Sequence, residues 1–293
     1  MPQHPTRRAV ALAAVLLAAM PAMAQDRPTL YFSAIPDDDE TKLEARFGKV
    51  ADHLEERLGV PVQYVPVKDY AASVTAFRND QIQLAWFGGL SGVQARRLVP
   101  GSQAIAQGVE DQSFVTYFIA HESTGITEPE GDAFPEGIEG LSFTFGSQGS
   151  TSGRLMPEYH LRRLFEEAPE EIFSDVGFSG DHGQTLRLVA SGAYDLGALN
   201  YSVFDAAVAE GAPEVETARV IWRTPPYPDY NWTIRGDVDE RWGEGFTKRV
   251  QRALIELEDP QILESFPRTA FIEAENDLYL PIERIAKQLD LID

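Results

Sequence analysis

Leu141-Ser142-Phe143-Thr144-Phe145-Gly146-Ser147-Gln148-Gly149-Ser150-Thr151-Ser152-Gly153-Arg154 reads as a strand, a glycine- and serine-rich turn and a helix opening at about Ser152. Downstream come a glycine-rich loop around Gly177 to Gly183, a helical stretch and a strand from Asp195 to Asn200. This α/β unit repeats an arrangement found earlier in the chain, though not its sequence. Residues 28 to 35 are β-rich, and an acidic turn from Asp37 to Glu40 leads into a helical pattern with Leu43, Phe47, Val50, Leu54 and Leu58 on one face, closed by Gly59. A strand around Val62 to Val67, a helix from Tyr70 to Arg78 and a strand from Ile82 to Phe87 complete a β-α-β-α-β order, which predicts a mostly parallel sheet flanked by helices.

Between the two units, residues 113 to 120 form a strand that leaves the first sheet, and Glu122 to Gly140 read as a surface loop. After a strand from Arg219 to Arg223, the stiff Thr224-Pro225-Pro226-Tyr227-Pro228-Asp229-Tyr230 segment precedes a return crossing placed at Asn231 to Arg235. Two closing helical stripes follow, one with Trp242, Phe246, Val250 and Leu254, the other with Leu278, Ile282, Ile285 and Leu289. The expectation is an α/β protein of two lobes: residues 25–116 and 235–293 in the first, residues 117–234 in the second. Open α/β sheets bind ligands beyond the carboxyl ends of their strands, so the cleft between lobes is the expected site.

The chain has 293 residues, with 25 Lys and Arg against 46 Asp and Glu, and no cysteine. A net charge of −21 with no basic run argues against a nucleic-acid partner. Without cysteine there are no disulfides, thiolate metal sites or thiol nucleophiles. The five histidines, at 4, 53, 121, 160 and 182, show no zinc-helix spacing, so neither a metal nor a cofactor is expected. Arg7 and Arg8, the apolar stretch from Ala9 to Met20 and the Ala22-Met23-Ala24 site read as a cleavable signal peptide over residues 1–24. Removing those 24 residues, with two arginines and no acid, takes the charge from −21 to −23. An exported, periplasmic protein is expected.

Ser150, Thr151 and Ser152 at a helix N-terminus bring hydroxyls and free backbone N–H groups to the positive end of a dipole, a cradle for an oxyanion. The competing reading is ordinary N-capping by Ser150 or Ser152. Gly149-x-Thr151-x-Gly153 also mimics a nucleophile elbow with threonine in place of serine. His182, in the loop Ser179-Gly180-Asp181-His182-Gly183, could face the cleft or simply begin a helix. Asp229, between Pro228 and Tyr230, is either a cleft carboxylate or a solvated turn acid.

Asp69-Tyr70-Ala71, Leu84-Ala85-Trp86-Phe87-Gly88-Gly89-Leu90-Ser91, Ser150-Thr151-Ser152-Gly153, Gly180-Asp181-His182 and Asn276-Asp277-Leu278 together resemble the phosphonate, phosphite and phosphate-type solute-binding proteins of ABC importers. The stretches Phe145–Arg154, Ala198–Val203 and Thr224–Trp232 are also similar to a branch labelled selenate or selenite binders. The resemblance implies a type II periplasmic-binding-protein fold and an anion held by Ser150, Thr151, Ser152 and His182, with Tyr70, Phe87, Asp229 and Tyr230 completing the site. It implies an ABC permease as membrane partner, its ATPase indirectly, and a monomer.

Two departures matter. Phe87 stands where phosphonate binders commonly carry a tyrosine, and no acid occurs from Ala198 to Phe204, where aminoalkylphosphonate binders have one. A ligand without an amine is therefore expected. Asp229, if it faces the ligand, accepts only from an oxyanion that still carries a proton, and it repels a dianion such as sulfate or selenate. Should Asp229 instead hold Tyr230 or His182, that discrimination disappears. The expected function is capture without catalysis; a ligand-presenting sensor and a secreted hydrolase using Thr151 are the alternatives.

Overall fold

The helix Glu40–Leu58 shows how sequence becomes architecture. The Asp39 side chain accepts from the Thr41 N–H at its start, Gly59 closes it in the left-handed conformation (φ 64°), and Leu43, Phe47, Val50, Leu54 and Leu58 are buried along one stripe. That stripe covers one face of a six-stranded sheet. In the computed structural model, residues 28–293 are described; the signal peptide expected over residues 1–24 lies outside them.

The first sheet is built from β1 (Leu30–Ala34), β2 (Val62–Tyr64), β3 (Leu84–Phe87) and β4 (Gln103–Gly108), with β10 (Asn231–Ile234) and β11 (Phe271–Glu273) from the end of the chain. Its order is β11-β4-β10-β3-β1-β2. The second holds β5 (Thr116–His121), β6 (Ser142–Phe145), β7 (Asp175–Phe178), β8 (Leu196–Asn200) and β9 (Ala218–Arg223), in the order β7-β6-β8-β5-β9. Each sheet has its own aromatic core, around Phe32, Phe47, Trp86 and Trp232 in one and Phe118, Phe143, Phe145 and Trp222 in the other.

The sheets are mixed, not mostly parallel. β1 runs parallel to β2 and β3, but β10 is antiparallel to both β3 and β4, and β11 is antiparallel to β4. In the second sheet β6 is parallel to β7 and β8, while β5 is antiparallel to β8 and β9. The strands that run against the parallel set of their sheet are β5 and β10, next to the crossings, and β11 near the end of the chain. The return crossing falls earlier than expected: Asn231 pairs with Phe87 and Ile234 with Leu84, so 231–234 belongs to the first sheet and Thr224–Tyr230 make the passage. Thr116, placed in the first lobe by sequence, is the first residue of β5 and pairs with Asn200.

Candidate functional site

Three chain ends meet where the lobes face each other. The first is the turn after β6. Ser150 Oγ accepts from the Gly153 N–H at 2.9 Å, and the Leu155 N–H reaches the Ser150 carbonyl at 3.0 Å, giving the first turn, Thr151–Leu155, a π-helical form before the helix Met156–Phe165. Ser150 thus serves as N-cap, and the amides of Thr151 and Ser152 lie ahead of the first intrahelical bond. Gly153 packs tightly here: a Cβ on it would stand 3.1 Å from both His182 Cε1 and Ser150 Oγ.

The second is the loop before the helix His182–Ala190. Gly180 (φ 96°) turns the chain, and Asp181 Oδ1 caps the helix by accepting from the Gln184 N–H at 2.7 Å, which seats His182 at its first position. His182 is fully buried. Its Nδ1 accepts from the Asn200 N–H at 3.3 Å, which assigns the proton to Nε2, 3.5 Å from Ser152 Oγ. Burial lowers its pKa to about 4, so the ring is neutral at physiological pH and Nε2–H is a donor.

The third is contributed by the first lobe and the crossing. Asp69 caps the helix Tyr70–Arg78, with Oδ1 2.6 Å from the Ala72 N–H, and so places Tyr70 at its start. Tyr70 Oη is buried with no hydrogen-bond partner, beside Ser150, and burial holds its pKa well above the phenol range. Asp229 is also buried. Its Oδ1 accepts from the Gly89 N–H at 2.8 Å, and its Oδ2 has no partner. Asp229 therefore anchors Gly89, not Tyr230 or His182. Burial raises its pKa to about 7, against the opposing pull of the Gly89 N–H and Thr151.

The same contacts draw the lobes together. The helix Gly89–Leu98 has no side-chain cap of its own. Its first amides are capped from elsewhere: Gly89 by Asp229, and Leu90 by Thr151 Oγ1 of the second lobe at 3.0 Å. Gly88 permits this approach, since a Cβ there would lie 3.2 Å from both Asp229 Oδ1 and Thr151 Oγ1. Asn200 Nδ2 donates to Tyr230 Oη at 3.3 Å, and Tyr230 stacks on Trp86 with ring centroids 5.4 Å apart. The lobes are closed. A 660 Å³ cavity opens between them; Asp37, Trp86, Asn200 and Tyr230 belong to its wall, whereas Ser150, Thr151, Ser152 and His182 do not.

Of the residues singled out in the sequence, Tyr70, Ser150, Thr151, Ser152, His182 and Asp229 converge, and Tyr230 borders them. Phe87 is the exception in kind: its ring packs edge-on against Phe77 at 5.7 Å, so the position supplies apolar packing and no donor. Sequence reading missed Tyr227, whose Oη is 2.6 Å from Thr116 Oγ1 under the Ser150–Ser152 turn, and Asn200, which joins the lobes through Tyr230. It also missed Asp111. That buried carboxylate takes Arg268 Nε at 2.8 Å, Arg268 Nη2 at 2.6 Å and the Gly108 N–H at 2.9 Å, while its carbonyl accepts from the Asp229 N–H at 3.0 Å. The ion pair fixes Asp111, in the first crossing, to Arg268, and the backbone bond from Asp229 ties the two crossings together.

Two α/β lobes joined by two crossings and closed over a buried polar site define a two-lobed binding protein of the periplasmic type. The family model for the phosphonate periplasmic substrate-binding protein of ABC transporters matches residues 32–279, and the chain belongs to that family. It is 40% identical over 268 residues to the probable ABC transporter phosphite binding protein PhnD1 of Prochlorococcus marinus, covering 90% of each chain. The solved structure of that protein in complex with methylphosphonate superposes with a TM-score of 0.85 at 39% identity, over 90% of this chain and 99% of that one. The phosphonates-binding periplasmic protein of Escherichia coli is 24% identical over 271 residues, 91% of this chain and 78% of its own. A binding component of an ABC phosphonate transporter from Pseudomonas aeruginosa shares the fold, with a TM-score of 0.76 at 20% identity over 89% of this chain and 86% of its own.

Proposed function

We propose that this protein captures phosphite or a short alkylphosphonate such as methylphosphonate, in a form that still carries a proton, and presents it to an ABC permease after export through the 1–24 signal segment. The observation that carries this reading is the pairing of donors with one buried acceptor. Ser150, Ser152, Tyr70 and His182 Nε2–H supply donors to the oxygens, and Asp229 Oδ2, which lacks a protein partner, is left to accept a hydrogen from the ligand. A carboxyl whose pKa is pushed up to about 7 shares a proton with a hydroxyl-bearing oxyanion and disfavours an unprotonated dianion such as sulfate or selenate. The relatives' phosphite and methylphosphonate fit the same chemistry.

Binding without turnover suits the geometry better than hydrolysis at Thr151. The Thr151 oxygen accepts from the Leu90 N–H, and the histidine of the site contacts Ser152 instead. The lobes close by populating the form in which the ligand completes these contacts, and that closed form is what a permease reads. Replacing Ser150, Thr151 and Ser152 together by alanine should abolish binding in a folded monomer. In thermal unfolding, ligand at 1,000 times its Kd stabilises by about 4 kcal/mol. The wild-type protein should shift with phosphite, methylphosphonate or selenite and not with sulfate or selenate. An unchanged shift in the triple variant would sink the site assignment, and ester turnover lost on Thr151→Ala would support the hydrolase instead.

A further inference from the structure

We propose that Thr116 and Tyr227 are the positioning pair of the oxyanion turn: their two hydroxyls hold the Ser152 peptide from beneath and set the aim of the Ser152 side chain at a ligand oxygen. The inference deepens the oxyanion reading above and rests on it. It starts from a gap in the helix opening. In the π-helical turn each N–H bonds five residues back, Leu155 to the Ser150 carbonyl and Met156 to the Thr151 carbonyl. The next bond in that register, to the Ser152 carbonyl, would fall to residue 157, a proline with no N–H to give. Thr116 supplies the donor instead, with its Oγ1 2.9 Å from the Ser152 carbonyl oxygen.

The direction of a second bond follows. The one hydroxyl hydrogen of Thr116 goes to Ser152, so in the 2.6 Å contact between Tyr227 Oη and Thr116 Oγ1 it is Tyr227 that donates. Tyr227, Thr116 and Ser152 are all buried, where a hydrogen bond left unmade is costly. Both members of the pair are fixed by the crossings. The Thr116 N–H donates to Thr224 Oγ1 at 2.9 Å and the Thr224 N–H to the Thr116 carbonyl at 3.0 Å, while Phe114 and Tyr227 exchange backbone bonds of 2.9 and 3.0 Å. Thr116 also stands opposite Asn200 in the pairing of β5 with β8, and the Asn200 N–H holds His182 Nδ1. One strand end thus serves as the reference for both second-lobe donors, Ser152 Oγ and His182 Nε2, which lie 3.5 Å apart.

Thr116 and Ser152 both belong to the second lobe, so their bond persists whether the lobes are open or closed. Its loss costs the empty and the loaded protein the same folding energy. Affinity changes only if Ser152 loses its aim, and that separates a positioning role from a purely structural one.

The test is the Kd of phosphite and methylphosphonate, by titration calorimetry on protein purified from the periplasm, read beside the melting temperature of the ligand-free protein. Thr116→Val removes the donor to Ser152 and should weaken binding about tenfold to a hundredfold; Tyr227→Phe, which leaves that donor but not its support, should weaken it about three- to tenfold. Thr116→Ser keeps the hydroxyl and should recover most of the loss. In a Ser152→Ala background, itself weaker in binding, Thr116→Val should cost about twofold or less, because the side chain it aims is gone. Wild-type affinity in Thr116→Val despite a lowered melting temperature, or an equal loss in the wild-type and Ser152→Ala backgrounds, would overturn the assignment. If Thr116→Val does not fold, Tyr227→Phe in the same two backgrounds decides. Failure of the wild type to bind either ligand would overturn the oxyanion reading and this inference with it, whereas the other outcomes overturn the inference alone.

Discussion

Asp229→Asn separates the roles of the two oxygens of one side chain. Oδ1 is held by the Gly89 N–H at 2.8 Å, a buried donor that needs an acceptor, so the amide must keep its oxygen there and put Nδ2 where Oδ2 stood. On the proposed reading, an acceptor facing the ligand becomes a donor. The size of the effect follows from the pKa, raised by burial from 3.8 to about 7: roughly three pKa units at about 1.4 kcal/mol each disfavour the ionised, closed site by ~4 kcal/mol. The sign is set by a raised acid. Stability of the closed form is fully present below about pH 4, declines as pH rises towards 7, and changes no further above it. Ligand-free wild type should therefore open across that range, read as a growing radius of gyration in X-ray scattering, while Asp229→Asn stays flat. At pH 8 the variant should bind sulfate or selenate more tightly by up to about a thousandfold, and phosphite roughly tenfold to a hundredfold more weakly. The same phosphite-to-sulfate preference and the same scattering profile in both proteins would refute the argument.

Gly88→Ala should leave folding intact, because the Gly88 backbone (φ −73°) suits any residue, yet its Cβ would stand 3.2 Å from Asp229 Oδ1 and 3.2 Å from Thr151 Oγ1, the contact made by the second lobe. Affinity should fall about tenfold, mostly through faster release in stopped-flow fluorescence, and unchanged release rates would count against the clamp. Arg268→Met leaves Asp111 buried without its bidentate partner, a loss of about 3–5 kcal/mol that should lower the melting temperature by roughly 10 °C; a shift of a degree or two would show that the pair is dispensable.

What could be read from the sequence was what is decided locally. The helix Glu40–Leu58 announced itself through five apolar residues at helical spacing and a closing glycine, and the same five are buried. Strands β4, β7 and β11 escaped notice. β4 carries small residues where strands usually carry β-branched ones, β7 has Gly177 in its middle, and β11 is three residues long. Their pairing is supplied by distant partners, as when Phe271 meets Gly108. The same division holds in the site. Ser150, Thr151 and Ser152 were legible because helix-end chemistry is local, whereas the partner of Asp229 is Gly89, 140 residues away. Asp37, Asp38 and Asp39 read alike as one acidic turn. Folding gives each a different office: Asp39 caps the helix, Asp38 meets Lys42 and Arg46, and Asp37 alone is buried with an unpartnered oxygen.

These details give closure a physical basis in the first lobe. Opening the lobes removes Thr151 from the Leu90 amide, and any movement of the crossing relative to β3 removes Asp229 from Gly89, so the helix Gly89–Leu98 would expose its first N–H groups to water. Water satisfies them nearly as well, which keeps the net value of each bond near 1 kcal/mol and the lobe equilibrium close to balance. The orphaned oxygens of Tyr70 and Asp229 act in the opposite direction, since closing without a ligand buries them unsatisfied at about 1–3 kcal/mol each. A ligand that supplies their partners removes that penalty only in the closed form. The preference for closure in the loaded protein thus arises less from new attraction between the lobes than from the relief of polar groups that the empty cleft cannot satisfy.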